Sequence, residues 1–595
     1  MVGLPARAHL AWPTAEDRAL TETAKIDAPA GDLPLARLAR VRERARGPTG
    51  GPMGGRGLLA LAWLFAVLCV GPAVAVVVTA FTGDLQTWTH LANTRLPDYT
   101  LTTLWLLLLV CLGVTVLGTA TAWLVTATRF PGRPVFEVAL ALPLAFPAYV
   151  LAYAYTDLLD HPGAVQTTLR AVTGWGPREY WFPEIRSLEG AALMLTLVLY
   201  PYVYLLARAA FLMQSATAAQ VARTLGCGPV ATFFRVSLPM ARPAIAGGAA
   251  LAMMETIADF GTVAHFSVQT FTTGVYRAWF SMGDRAAAAQ LSACLLVFAV
   301  SLAVLERVQR GEAQRHHAGR RFETIPAMPL AGWHARLAVA VCTLPVLLGV
   351  VVPLVMLLEM GLRSGQNPFA PRYAAFAINS LSLSAMAAGI VVVGALVIAY
   401  AARLVRTRSA QFAVVAAGVG YAIPGSVIAV GLMVPLAMLD NALDSVAERL
   451  FGIDLGLLIT GSAAVLLFAY LSRFMAVALN SVDAGLTAIR PTLDQVARTL
   501  GAGPAATLGR VHAPLLRGSL LTAALIVFVD VMKELPATLL MRPFNFDTLA
   551  VQAYRLASDE RLTQAAVPSL VIVGFGFLPV LLLVREIRRA RPGRG

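Results

Sequence analysis

The sequence predicts an all-α integral membrane protein, with about twelve transmembrane helices in two homologous, parallel six-helix halves. Three observations predict it. Of 595 residues, 58% are hydrophobic and only 13% charged, about half the charge of an ordinary soluble domain. Runs such as 58–82, 101–128, 290–305 and 564–584 hold about 20 residues with hardly a charge, the length a helix needs to cross about 30 Å of hydrocarbon. Finally, a phrase occurs twice. Residues 220–229 read QVARTLGCGP and residues 495–504 read QVARTLGAGP, differing at one position in ten and lying 275 residues apart.

Twelve spans can be placed near 58–82, 101–127, 135–157, 190–213, 244–264, 287–305, 335–359, 380–402, 411–437, 455–480, 518–540 and 564–584. Helices are the expected form, because lipid offers no partner to a backbone amide. The third, fifth and eleventh spans contain proline or acidic residues.

Arginine sets the orientation. With the N-terminus inside and the spans alternating, inside segments and helix ends hold 34 of the 47 Lys and Arg residues, and outside ones hold 13. The positive-inside rule then puts both termini and both QVARTLG loops in the cytoplasm. The repeat is therefore parallel, unlike the inverted repeats of many secondary transporters. The net charge of +14 is spread over seven inside segments rather than gathered on one domain, which argues against nucleic-acid binding.

The organisation follows. Residues 1–57 form a polar, Arg-rich cytoplasmic tail, read as disordered apart from a short amphipathic helix around Ala36–Arg46. A secretory signal is not expected, since the first apolar run starts late and is too long; Met53 is a second candidate start. Residues 58–306 form the first half, 307–334 a cytoplasmic linker and 335–590 the second half. The linker histidines near His316–Arg321 read as solvated. The five cysteines (Cys69, Cys111, Cys227, Cys294 and Cys342) show no CxxC spacing, so neither disulfides nor cysteine metal sites are expected.

Each repeated loop starts small, polar and helix-tolerant. In the first, Gly226, Gly228 and Pro229 stop the helix. A second short helix then leads to Leu238–Pro239, or to Ala513–Pro514 in the second copy. The arrangement reads as a helix–turn–helix along the membrane face. An ordinary connection would drift quickly, so near-identity in two diverged halves points to a docking element, one per half.

These residues resemble the EAA loop of binding-protein-dependent ABC importer permeases. The family's acidic-Ala-Ala-x3-Gly, with Leu-Pro twelve and thirteen residues after the Gly, corresponds to Gln220, Val221, Ala222, Gly226, Leu238 and Pro239. In the second half it corresponds to Gln495, Val496, Ala497, Gly501, Ala513 and Pro514. Both copies have Gln for the leading Glu and Val for the first Ala, and the second lacks the Leu. The stretches METIADFGTVAHFSVQTFTTGVYRAWFSMGDRAAAAQL (254–291) and VMKELPATLLMRPFNFDTLAVQAYRLASDERL (531–562) look like fused, two-repeat ferric-iron permeases. The resemblance implies a type I importer permease fold in the inner membrane. It implies two ATPase subunits seated on the loops, a periplasmic substrate-binding protein and ferric iron as cargo. Fused permeases for thiamine and organophosphonates belong to the same superfamily and are the runner-up. An ion-coupled secondary transporter is the rival from another class.

The chain supplies no engine of its own. A phosphate-binding loop needs Lys followed by Ser or Thr, and the two lysines stand in Ala-Lys25-Ile and Met-Lys533-Glu. ATP hydrolysis is therefore expected in trans. No catalytic residue, bound metal or cofactor is expected.

The path is sought in buried charge. On the 275-residue offset Glu255 matches Asp530, and Asp259 matches Glu534. This gives each half two carboxylates at i and i+4, read as one helix face. Glu255 lies twelve residues past Pro243, about 18 Å along a helix and close to mid-membrane. Ionisable groups at that depth usually face a cavity or a partner. Either they line a path that tolerates a hard cation, or they pair structurally, for example Glu255 or Asp259 with Lys533 across the halves. Tight metal coordination would defeat a permease. Pro143, Pro147 and Pro424 lie within spans, with PAYVLA at 147–152 matching PGSVIA at 424–429; they mark hinges or packing kinks.

Overall fold

The computed structural model describes residues 52–82, 85–177, 179–214, 224–226, 228–315, 328–367, 370–454 and 456–589. Residues 1–51 of the tail, with the helix expected around Ala36–Arg46, the linker segment His316–Arg321, Cys227 and the loop residues Gln220, Val221 and Ala222 lie outside them.

The apolar runs are helices, because only a helix satisfies its own backbone within one segment. The first half runs Pro52–Thr82, Leu96–Ala127, a broken pair, Leu188–Met213, Val230–Ala258 and Arg285–Arg315. The second runs Gly332–Arg363, Pro371–Val405, Arg408–Ala417, Gly425–Phe451, Ala464–Ala488, a second broken pair and Leu562–Arg589. Ten of these helices are long and apolar enough to cross a membrane, or twelve if each broken pair is one span. The strands among the described residues are two-residue pieces, Thr128–Arg129 and Met328–Pro329, paired in parallel.

Five expected spans differ in detail. The third is broken: Arg133–Ala145 and Ala148–Thr173 meet at 93°. The ninth starts afresh at Gly425 after a 3₁₀ turn, Gly418–Ala422. In both places proline stands at the N-cap, Pro147 before Ala148–Leu159 and Pro424 before Gly425–Phe451. Proline has no N–H to donate and forces the residue before it out of the helical region. These prolines therefore start helices rather than kink them. The tenth span starts and ends later in the sequence than expected, at Ala464–Ala488. The eleventh stops at Met532, and a short helix, Pro536–Met541, follows the break. The fifth stops likewise at Ala258, followed by Gly261–His265. The two breaks fall at repeat-matched positions.

The halves interlock reciprocally. The first helix of each half lies on the other half. Ser472 Oγ donates to the Cys69 carbonyl at 2.7 Å, and Tyr155 Oη donates to the Leu348 carbonyl at 2.7 Å. The closing helices do the same: Leu562–Arg589 packs on Leu142–Ala145 and Ala148–Leu159, and Arg285–Arg315 packs on Gly425–Phe451. The Pro-started segments of both halves are thereby brought to the interface between them.

Candidate functional site

The interface encloses a cavity with about 120 Å³ of space for water-sized groups. Its wall includes Glu255, Asp259, Asp530, Lys533 and Glu534, the five charged residues singled out in the sequence, together with Arg473, Tyr149, Tyr202 and Tyr421. Leu144, Phe146, Pro147, Phe474 and Pro536 supply much of its apolar surface.

The four carboxylates do not do the same thing. The helix ends before Asp259 and before Glu534, so neither shares a helix face with Glu255 or Asp530, and the expected i,i+4 pairing does not form. Each instead closes the start of the short helix beyond the break. Asp259 accepts from the Thr262 amide and hydroxyl, both at 3.0 Å, and from the Val263 amide at 3.2 Å. Glu534 accepts from the Ala537 amide at 2.8 Å, the Thr538 amide at 3.0 Å and the Thr538 hydroxyl. Helix starts leave unpaired N–H groups, and a carboxylate there satisfies them.

Glu255 and Asp530 keep acceptor capacity to spare. Glu255 receives one bond, from Tyr421 Oη at 3.3 Å. Asp530 is paired with Lys533 at 2.9 Å, three residues on in its own half. The cross-half pairing of Lys533 with Glu255 or Asp259 is replaced by a local one, because Lys533, at the helix C-cap, lies one turn on from Asp530. Among the described residues no cluster of three or more His, Cys, Asp or Glu side chains is arranged to hold a metal ion. The wall thus sets four carboxylates against two cations, Lys533 and Arg473.

Arg473 escaped the sequence reading. It sits inside the tenth span and meets Glu534 at 3.5 Å, with the Glu534 side chain only 2% exposed. Its signal was present, an arginine inside an apolar span, but its partner lies 61 residues away in the sequence. Gly425 lies close against this pair: a Cβ there would come within 2.3 Å of Arg473 Nη1 and 2.7 Å of Glu534 Oε1 and would push the tips of both side chains aside.

The repeated loops are alike where both are described. Gly226 has φ +81° and Gly501 φ +76°, the left-handed region that favours glycine. Beside them Leu225 and Leu500 are about four-fifths exposed, at 78% and 81%. A π-turn follows at matched positions, Phe233–Ser237 and Leu508–His512. In the first copy the helix then runs on through Leu238 and Pro239 to Ala258 rather than ending there. The π-turn has already shifted the bonding register, so the missing proline N–H breaks nothing further. The second copy bends by 77° after Leu515, beyond Ala513–Pro514. Its helix Pro491–Thr499 exposes Gln495 and buries Ala497. Arg403 holds it through Asp494 at 3.0 Å.

At the opposite end of the spans, Arg186 of the first half grips Glu560 of the second through two bonds of 2.8 Å and also reaches Asp160 at 2.9 Å. The Arg186 guanidinium holds the Glu560 carboxyl below its ordinary range. A depressed folded value stabilises above the ordinary carboxylate range and is lost as pH falls through the depressed value. Wild type is thus expected to unfold at a higher temperature than Glu560→Gln near neutrality, and the two should converge in acid. The gap should be small and salt-sensitive, since Glu560 is 62% exposed. Melting curves across pH check this; a gap that persists unchanged in acid denies it.

Residues 114–311 match the model of a family described as binding-protein-dependent transport system inner membrane component. The Haemophilus influenzae protein named Fe(3+)-transport system permease protein FbpB 2 is 27% identical over 496 residues, covering 82% of this chain and 90% of that protein. The ferric transport system permease protein FbpB of Actinobacillus pleuropneumoniae is 22% identical over 491 residues, 77% of this chain and 67% of its own length. The molybdenum transport system permease protein ModB of Escherichia coli is 29% identical over 209 residues, 33% of this chain and 86% of its own.

Proposed function

We propose that this chain, an inner-membrane permease of the binding-protein-dependent transport family, carries ferric iron inward through the cavity between its halves. The observation that carries the reading is the makeup of that cavity: four carboxylates face two cations, and two of the carboxylates retain free acceptor capacity. Such a wall concentrates a hard cation, and the absence of a convergent ligand cluster among the described residues lets it go. An oxyanion cargo, of the kind named for ModB, or an organophosphonate would meet an opposing field.

A periplasmic binding protein delivers the iron. Both termini and both loops face the cytoplasm, where a pair of ATPase subunits seats on Leu225–Gly226 and Leu500–Gly501. ATP hydrolysis in those subunits moves the loops. Each loop connects directly to the helix carrying a cavity carboxylate, Val230–Ala258 or Arg517–Met532. Motion at the docking face is thereby passed to Glu255 and Asp530.

Reconstituted vesicles test this, with ATP supplied on the loop side and ferric iron with binding protein on the other. Glu255→Gln with Asp530→Asn should lower iron uptake by on the order of tenfold, about 1.4 kcal/mol, with ATPase activity close to wild type and a melting temperature lowered less than by Glu534→Ala, since the Lys533 left unpaired is partly exposed. Unchanged uptake, or uptake of thiamine in place of iron, would sink the assignment.

A further inference from the structure

Lysine is rare here. Lys25 and Lys533 are the two among 47 basic residues, and Lys533 lies on the cavity wall. We propose that Lys533 is a tethered counter-cation, resting on Asp530 while the path is empty and displaced by the cargo as it passes. The proposal rests on reading this cavity as the cation path.

The two cations of the wall are held differently. Arg473 is wedged: the backbone at Gly425 leaves no room beside its guanidinium, and its partner Glu534 is fixed by three further donors. Lys533 has a fixed backbone and a free side chain. Its carbonyl accepts from Tyr149 Oη across the halves at 3.4 Å, while its ammonium holds one partner, Asp530, and the side chain is 28% exposed. An ammonium on a four-carbon stem swings about a point charge, whereas a guanidinium locks into a planar fork. Residue type and mobility agree.

Charge balance gives the reason. The 275-residue offset sets Ala258 of the first half opposite Lys533. Glu255, the match of Asp530, therefore has no cation of its own and takes a bond from Tyr421 instead. One ammonium thus serves two carboxylates. Without it, both would stand bare in a low-dielectric cavity and hold a multivalent cation too long. With it, an entering cation exchanges for the ammonium on Asp530, and the ammonium's return helps the cation leave. No bond is made or broken except this exchange of ion pairs.

Terbium(III) is a suitable probe, being hard, trivalent and luminescent when excited through nearby tyrosines such as Tyr202 and Tyr421. In the purified full-length protein, Lys533→Met should bind terbium on the order of tenfold more tightly than wild type. Adding Glu255→Gln should abolish the gain. The charge-balanced Lys533→Met with Asp530→Asn, less exposed to misfolding, should bind no more tightly than wild type. Lys533→Arg should keep terbium binding weak and the melting temperature unchanged yet slow ATP-driven uptake, because the guanidinium does not let go. A merely structural cation would be rescued by arginine. Equal terbium affinity in wild type and Lys533→Met, tighter binding by the balanced pair, or full uptake by Lys533→Arg would each overturn the proposal. If the wild-type complex carries no ferric iron, the cargo reading falls, and the terbium comparison still decides the role of Lys533.

Discussion

Glu534→Ala should destabilise the protein by about 3–5 kcal/mol, the cost of leaving one member of a buried ion pair without its counter-charge. Glu534 is nearly sealed, and its loss strips Arg473 of its carboxylate while freeing the Ala537 and Thr538 amides at a helix start. Glu534→Gln keeps an acceptor for those amides but not the charge, so it should fall between wild type and alanine. Asp259→Asn, which has no cation to abandon, should cost less than Glu534→Ala. Glu255→Ala should cost less still, since it gives up one bond of 3.3 Å. Thermal unfolding of the purified protein orders the series. Equal losses for Glu534→Ala and Glu255→Ala would contradict the division into structural and path-facing carboxylates.

Gly226→Asp combined with Gly501→Asp should abolish ATP-driven uptake while leaving a folded, inserted protein. A Cβ at either position meets nothing within 4 Å among the described residues, so there is room for a side chain to start there. The left-handed φ costs on the order of 1 kcal/mol at each turn. The larger effect falls on a docked partner, because an unpaired carboxylate pressed into a protein groove is costly. The same surface carries Leu225 and Leu500, exposed side by side with the turns. Uptake should fall by at least about tenfold, equivalent to 1.4 kcal/mol or more, with co-purification of the ATPase weakened and the melting temperature nearly kept. Normal uptake by the double variant rules out these turns as the docking points.

Both predictions draw on features legible in the sequence to different degrees. The membrane class, the helical content and the parallel repeat follow from composition and spacing alone, because twenty apolar residues in lipid have one satisfactory backbone conformation. The left-handed turns at Gly226 and Gly501 were legible too, since a glycine after a helix-tolerant stretch has a specific backbone use. The identity of the cavity wall was partly legible: a carboxylate within an apolar span must face something polar, and the repeat offset matched Glu255 to Asp530.

Which carboxylate does what was decided by tertiary structure. Periodicity assumes the helix continues, whereas both helices stop, at Ala258 and at Met532. Asp259 and Glu534 then become caps, with Glu534 also the partner of Arg473. Lys533 turns to Asp530 rather than across the halves. Arg473 was hidden because its partner lies 61 residues away, beyond any local pattern. The continuous helix through Pro239 depends likewise on a π-turn that no residue type announces. Sequence determined what must leave water and how often it repeats, since those follow from transfer free energy and backbone bonding within one segment. The pairing of charges across the cavity had to wait for the fold, since it depends on where segments stop and meet.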